Sequence, residues 1–239
     1  MLFGALKKIL FSGMILRLIF EKIVQSQMRK LILLFLAFAG CIPEPRRIPG
    51  DPLDSPLLDY LLFRTTRTAS CADRGFCYIY SSQNPPATGS YGGIAGADAM
   101  CSQDAARPAA ATYPIKAFLV GTTRRASLTA SAGDGQLDWV LRSNQQYRRS
   151  DGTTVIGTTG SNALFAFPLA ASFGTVGIGF RTGLNVNWTT VGNDCLSWTD
   201  GSVGQTSEIG TANQTNNTAI GGGNITCSNP GYYLMCVEQ

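Results

Sequence analysis

Histidine is absent from the 239 residues. That removes the commonest general base near neutral pH and the commonest nitrogen ligand for metals. Ser-His-Asp and Cys-His nucleophilic catalysis are excluded with it. Charge is scarce too: Asp, Glu, Lys and Arg make up only 14% of the chain. The net charge of +4 is unevenly spread. Residues 1–70 hold 10 Lys/Arg against 5 Asp/Glu, a balance of +5, and residues 71–239 hold 9 against 10, a balance of −1. The basic character therefore belongs to the N-terminal segments and gives no basis for nucleic-acid binding by the rest. No C-x-x-C pair, phosphate-binding glycine loop or carboxylate dyad is present, so neither an enzyme nor a cofactor is indicated. Asp194 and Asp200 are close in sequence, but that spacing alone specifies no chemistry.

What is abundant is glycine (27 residues), together with Thr, Ser and Asn. This composition predicts a loop-rich domain with short strands rather than a helical bundle. The clearest strand is the last stretch, Gly231–Gln239. Tyr232, Tyr233, Leu234, Met235 and Val237 suit a strand with at least one buried face, and Asn229-Pro230-Gly231 ahead of it is a turn signal. Cys236 lies where chains usually fray, which predicts that this strand is stapled into the domain.

The N-terminus reads as an address. Met28-Arg-Lys30, the apolar run Leu31–Gly40 and Cys41 have the three parts of a secretory signal. The run is well short of the roughly 18–20 apolar residues that span a bilayer. Ala39-Gly40-Cys41 resembles the lipobox of bacterial lipoproteins, with Phe38 where Leu is usual, and the resemblance makes Cys41 the lipidated residue. Residues 1–27 do not fit inside such a signal. Either translation starts at Met28 and the gene start is over-extended, or these residues form an amphipathic or membrane segment. The expected organisation is thus 1–40 extension and signal peptide, 41–70 a lipidated tether, and 71–239 the folded domain. Five prolines in Ile42–Pro56 exclude helix and central strand and favour an extended tether. Leu57–Phe63 is either a short docking helix or an apolar patch in the linker.

Apart from Cys41 there are six cysteines: Cys71, Cys77, Cys101, Cys195, Cys227 and Cys236. An even number in an exported chain reads as disulfides, with 15 possible pairings for six. Cys71 and Cys77 can close a small local loop. Along the domain, Phe76–Tyr80 is a first strand. Ile94–Ala106 has helical spacing at Ile94, Ala97, Met100, Cys101 and Ala105, and Arg107-Pro108 is its stop. Lys116–Val120 is a short strand and Leu137–Leu141 either helix or strand. Tyr147–Gly152 carries an Asp-Gly turn, with a strand over Thr153–Ile156. Residues 157–226 read as irregular, anchored by Trp188 and Trp198. All three tryptophans, Trp139 included, are expected in the core.

Gly96–Cys101 within a helix, then Asn193-Asp194-Cys195, Cys227 and Met235–Glu238, resemble the four-cysteine plan of the C-type lectin-like fold. The resemblance implies an α+β domain of small antiparallel sheets, one or two helices and a long irregular loop region, with Cys101 bonded to Cys236 and Cys195 to Cys227. More narrowly, Gly-Gly-Ile-Ala-Gly-Ala-Asp-Ala-Met-Cys, Leu-Asp-Trp-Val-Leu, Thr-Thr-Val-Ile-Gly-Thr-Thr and the ending Cys-Val-Glu-Gln resemble the leptospiral endostatin-like outer-membrane lipoproteins, the Len family, over about residues 76–239. That resemblance implies a lipid-anchored, surface-exposed outer-membrane protein that binds host extracellular-matrix proteins or complement regulators.

Calcium-dependent sugar binding in this fold uses Glu-Pro-Asn or Gln-Pro-Asp plus Trp-Asn-Asp. Here Gly192 replaces the Trp, and no proline lies between Pro168 and Pro230. Residues 157–226 supply only Asp194, Asp200 and Glu208 as carboxylates, against the six to eight oxygens that calcium takes. The zinc site of endostatin needs histidines, which are missing. The basic residues open to a ligand are Arg124, Arg125, Arg142, Arg148 and Arg149, able to meet sulfated glycans or an acidic protein surface, or else simply solvated. Four Asn-x-Thr sequons, at Asn187, Asn213, Asn216 and Asn224, reflect Asn/Thr richness. The expected function is an adhesin for host proteins; the alternatives are a glycan-binding lectin and a structural envelope lipoprotein without a host ligand.

Overall fold

The computed structural model describes residues 69–239. The signal, Cys41, the tether and Leu57–Phe63 lie outside the described residues. A 3₁₀ turn at Cys71–Arg74 leads into β1 (Phe76–Ser81), followed by α1 (Gly93–Gln103), β2 (Ile115–Ala117), β3 (Gln146–Arg148) and β4 (Val155–Thr158). Next come β5 (Gly179–Arg181), a single turn at Cys195–Trp198 and β6 (Thr206–Thr211). A 3₁₀ turn at Asn217–Ala219, β7 (Gly223–Thr226) and β8 (Met235–Glu238) complete the order. The domain is α+β, with two small sheets and few helices. No helix among the described residues is long and apolar enough to cross a membrane.

The first sheet has the order β2-β8-β1-β3-β4, so the last strand sits inside it between β2 and the first strand. All four β8 residues are buried, because both faces of the sheet are covered. Alternation sends successive side chains to opposite faces. Cys77, Ile79, Met235 and Val237 join one core with Phe118, Phe165, Phe180 and Trp188. Tyr78, Tyr80, Leu234 and Cys236 join the other with Ile94, Ala97, Cys101 and Trp198. The sheet is therefore a middle layer between the helix and the loop region. One pairing departs from the antiparallel expectation: β1 and β3 run parallel. Residues 82–145, which include α1 and β2, give the chain ample length for the crossover that a parallel pair requires.

Helix α1 buries Ile94, Ala97 and Cys101, while Met100 is 42% exposed. At about 100° per residue, Met100 is turned roughly 240° from Ile94 and misses the core face. The helix ends at Gln103, before the expected Arg107-Pro108, leaving Ala105 outside it and exposed. The Asp104 carboxylate accepts the backbone N–H groups of Gln83 and Ala106, stabilising the chain where it leaves the helix. Only glycine fits at Gly96, where a Cβ would lie 1.8 Å from the Tyr91 carbonyl oxygen.

The hairpin around Asp151-Gly152 forms, with β3 and β4 as its arms; β3 has too few residues to show a period. Leu137–Leu141 is neither helix nor strand beyond one bridge from Leu137 to Arg125. Within 157–226 lies a second antiparallel sheet, β5-β6-β7. Its strands are three to six residues of mainly Gly, Thr, Ser and Asn, which leaves little apolar alternation to read.

Candidate functional site

Three disulfides form: Cys71–Cys77, Cys101–Cys236 and Cys195–Cys227. The two long-range bonds are the pairs implied by the resemblance, and all six cysteines are buried. Cys101–Cys236 ties α1 to β8, and Cys195–Cys227 ties the single turn to the loop behind β7. The chain begins and ends the domain at one place, since the Cys71 N–H donates to the Gln239 carbonyl at 2.8 Å. Glu238, fully buried in β8, accepts from the Arg74 guanidinium and from the N–H groups of Tyr78 and Tyr113 at 3.3 and 3.2 Å. Arg74 also lies 4.7 Å from the ring centres of both Phe76 and Tyr78, which adds a cation–π contribution.

The turn Cys195–Trp198 is left-handed, with φ of 53°, 52°, 53° and 66° at its four residues. Left-handed helix costs L-residues roughly 1–2 kcal/mol each, so surrounding contacts must enforce it. Cys195 is held by its disulfide. Trp198 stacks on Tyr91 with ring centres 5.6 Å apart, and its Nε1–H donates to the Val120 carbonyl at 2.8 Å. Asp194 supplies the cap, accepting the Ser197 N–H at 2.9 Å and the Ser197 hydroxyl at 3.3 Å. Asn193 donates to Glu208 and accepts from the Thr206 hydroxyl. Asn193-Asp194 thus builds a turn beside a disulfide. Among the described residues no three His, Cys, Asp or Glu side chains group as metal ligands.

The five arginines occupy different settings. Arg124 is 1% exposed and lies between two carboxylates, at 2.7 Å from Asp98 and 2.6 Å from Asp138, while also donating to the Ala117 and Asp138 carbonyls. Burial pulls its pKa down, but the bonds to Asp98 and Asp138 outweigh this and hold it above the usual arginine value. Burial acts in the opposite sense on Asp138, and the bonds from Lys116 and Arg124 prevail and keep its carboxyl low. Arg124 is an internal cross-brace joining α1, β2 and the 137–141 stretch. Arg125 donates to the Gly135 carbonyl. Arg149 donates to the carbonyl and hydroxyl of Ser172. Arg148 donates to Gln146 and Gly152 and packs 4.2 Å from the Phe76 ring centre, so it shares that ring with Arg74. Arg142 is exposed.

Sequence reasoning did not single out Arg181, which is fully buried. Its guanidinium donates to the Asn229 carbonyl at 2.7 Å, to the Thr226 and Cys227 carbonyls at 3.3 Å and to the Ser207 hydroxyl at 3.2 Å. It clamps the segment around Cys227. A buried arginine is rare enough that composition never announces one. Nearby, burial pushes the Tyr91 hydroxyl up to about 12, partly offset by the Arg181 charge.

No curated protein matches the chain. A family model described as "Protein of unknown function (DUF1554)" matches residues 84–215, from the turn before α1 to just past β6. That match covers more than half of the sequence, and the chain belongs to this family.

Proposed function

We propose that the domain is C-type lectin-like and that the protein is a lipid-anchored, surface-exposed outer-membrane protein that uses it to bind host extracellular-matrix or complement-regulator proteins. The observation that carries this reading is the pair of long-range disulfides, one from the helix to the last strand and one within the loop region. The adjacency of β1 and β8 supports it. A domain whose first and last strands pair leaves the loops at its other end free for a partner. Buried disulfides suit an oxidising compartment outside the cytosol. Arg142, exposed, and Arg148 and Arg149, half-buried, are the basic groups best placed for an acidic partner.

The test is binding of the purified protein to immobilised matrix and complement-regulator proteins. Saturable binding weakened in Arg142→Ala, whose side chain is exposed, is the expected result; Arg148→Ala/Arg149→Ala, which also removes bonds within the domain, is read against its own melting temperature. Absence of saturable binding to any of them would sink the reading and leave a structural envelope lipoprotein.

A further inference from the structure

Arg181 is a fully buried cation without a counter-ion. The ion pairs among the described residues involve Arg74, Lys116 and Arg124, and none reaches Arg181. Its Nη2 donates to the carbonyls of Thr226, Cys227 and Asn229 and its Nε to the Ser207 hydroxyl, all of them uncharged acceptors. The Tyr232 ring centre, 5.2 Å away, adds a cation–π contact. Its Nη1 has no hydrogen-bond partner among the described residues. A charge held out of water without an opposite charge is among the costliest arrangements in a protein interior.

The Tyr91 hydroxyl, on a side chain of a residue only 7% exposed, is likewise without a partner among the described residues. The two groups are neighbours. A Cβ at Gly89, two residues before Tyr91, would lie 3.2 Å from Arg181 Nε. Burial pushes the Tyr91 hydroxyl up to about 12, and Arg181 is close enough for its charge and its N–H groups to counter part of that effect. Yet no hydrogen bond joins the two. Tyr91 is pinned by its stack on Trp198 and by its N–H to the Trp198 carbonyl at 2.9 Å, so its hydroxyl is not free to swing to another acceptor. The other unpaired buried atom, Arg74 Nε, belongs to a guanidinium already matched by Glu238.

Nη1 can only donate, and the protonated phenol also has a proton to give. Two donors are therefore left over beside one uncompensated positive charge. A direct bond from Nη1 to the Tyr91 oxygen would satisfy that N–H but leave the phenolic O–H and the charge unmet. An acceptor that answers all three is an anion. It is small, because both residues are more than nine-tenths buried and a carboxylate carried on a partner's side chain could not reach them. It is singly charged, because one cation is there to match it and a divalent oxyanion would bring more oxygens than there are donors. We propose that Arg181 and Tyr91 form a buried binding site for a monovalent halide, chloride in ordinary solution. Chloride at this place links β5 to the Tyr91–Trp198 stack, and through it to the left-handed turn at Cys195–Trp198. Order in the loop region then depends on the ion. The site goes beyond the protein-binding reading and does not depend on it.

The experiment is a thermal-melting titration of the purified protein with sodium chloride and with sodium bromide. Sodium gluconate, whose anion is too bulky for a buried site, holds the ionic strength constant. Chloride and bromide should raise the melting temperature along a saturating curve, as a ligand of the folded state does. Hydrogen exchange at residues 195–200 should slow in parallel. Tyr91→Phe keeps the stack on Trp198 and removes only the O–H, and it should weaken the halide midpoint about tenfold. Arg181→Met should abolish the halide response; if that variant does not fold, Tyr91→Phe and a crystal grown in bromide carry the test. The bromide should give an anomalous peak between Arg181 and Tyr91. The proposal is overturned if chloride and gluconate give the same melting temperature, if the rise with halide never saturates, if it is undiminished in folded Tyr91→Phe, or if the crystal shows a water there and no bromide.

Discussion

The frame made of β1, α1, β2 and β8 and the loop region from 157 to 234 are held together by different physics. In the frame, side chains alternate cleanly between two cores and backbone ladders satisfy the strands. In the loop region, order comes from side chains reaching backbone carbonyls: Arg181 to residues 226, 227 and 229, Thr182 to Ile220, Trp198 to Val120. Four consecutive left-handed residues there are tolerated because those contacts over-determine them. A frame built by periodicity fails as a whole, whereas a region built by individual clamps loosens one clamp at a time.

The sharpest way to break this contrast is to remove the Cys101–Cys236 bond. Its cysteines are 135 residues apart, so in the chain-entropy account Cys101→Ala/Cys236→Ala costs about 5 kcal/mol, read by urea denaturation. Removing Cys71–Cys77, only 6 residues apart, should cost clearly less. Equal losses would contradict the view that the first bond closes the frame. Next comes Arg124→Ala. Asp98 and Asp138 are 23% and 43% exposed and Asp138 keeps Lys116, so the cost should lie at or below the low end of the roughly 3–5 kcal/mol for a fully buried pair, and the whole domain should melt earlier. Arg181→Met should cost less, roughly 1–3 kcal/mol, because it leaves buried carbonyls unpaired. Hydrogen exchange should then rise at residues 195–200 and 226–229 before it rises in β1 and β8. Simultaneous loss of protection in both regions would unite what is here kept apart.

The smallest expected effect is at the 127–134 loop. The N–H and hydroxyl of Thr129 hold the Asp134 carboxyl down to about 2, from 3.8. Its folded pKa is depressed, so its contribution is complete above about 3.8 and is lost as pH falls through about 2. NMR should show the Thr129 amide, whose acceptor is the carboxylate, protected at pH 5 and freed at about pH 2, while the Leu128 amide keeps its bond to the Asp134 carbonyl and β8 stays intact where protonation begins. Loss of the loop already at about pH 5 would contradict this order.

Legibility in the sequence followed the same division. The strand at Phe76, the helix at Ile94 and the final strand carried period and apolar content, so their places were readable. Met100 was misplaced because a helical stripe of small residues leaves the exact face open. The β5-β6-β7 sheet was not seen, since Gly179-Phe-Arg181 and Gly223–Thr226 have no alternation to detect and are strands only because β6 lies between them. The arginines illustrate the same limit. Arg124 and Arg125 are neighbours in the chain, yet one is an internal brace and the other lies near the surface, which charge alone does not distinguish.

Sequence alone determined the absence of histidine chemistry, the disulfide-forming character of an even set of six cysteines and the commitment of the last strand to the core. These depend on residue type and local spacing. Tertiary structure decided that β8 lies in the middle of its sheet, that Asp194 caps a left-handed turn, and that Arg181 is buried against the carbonyls around Cys227. Each of those depends on which distant groups meet, and local spacing carries no record of that.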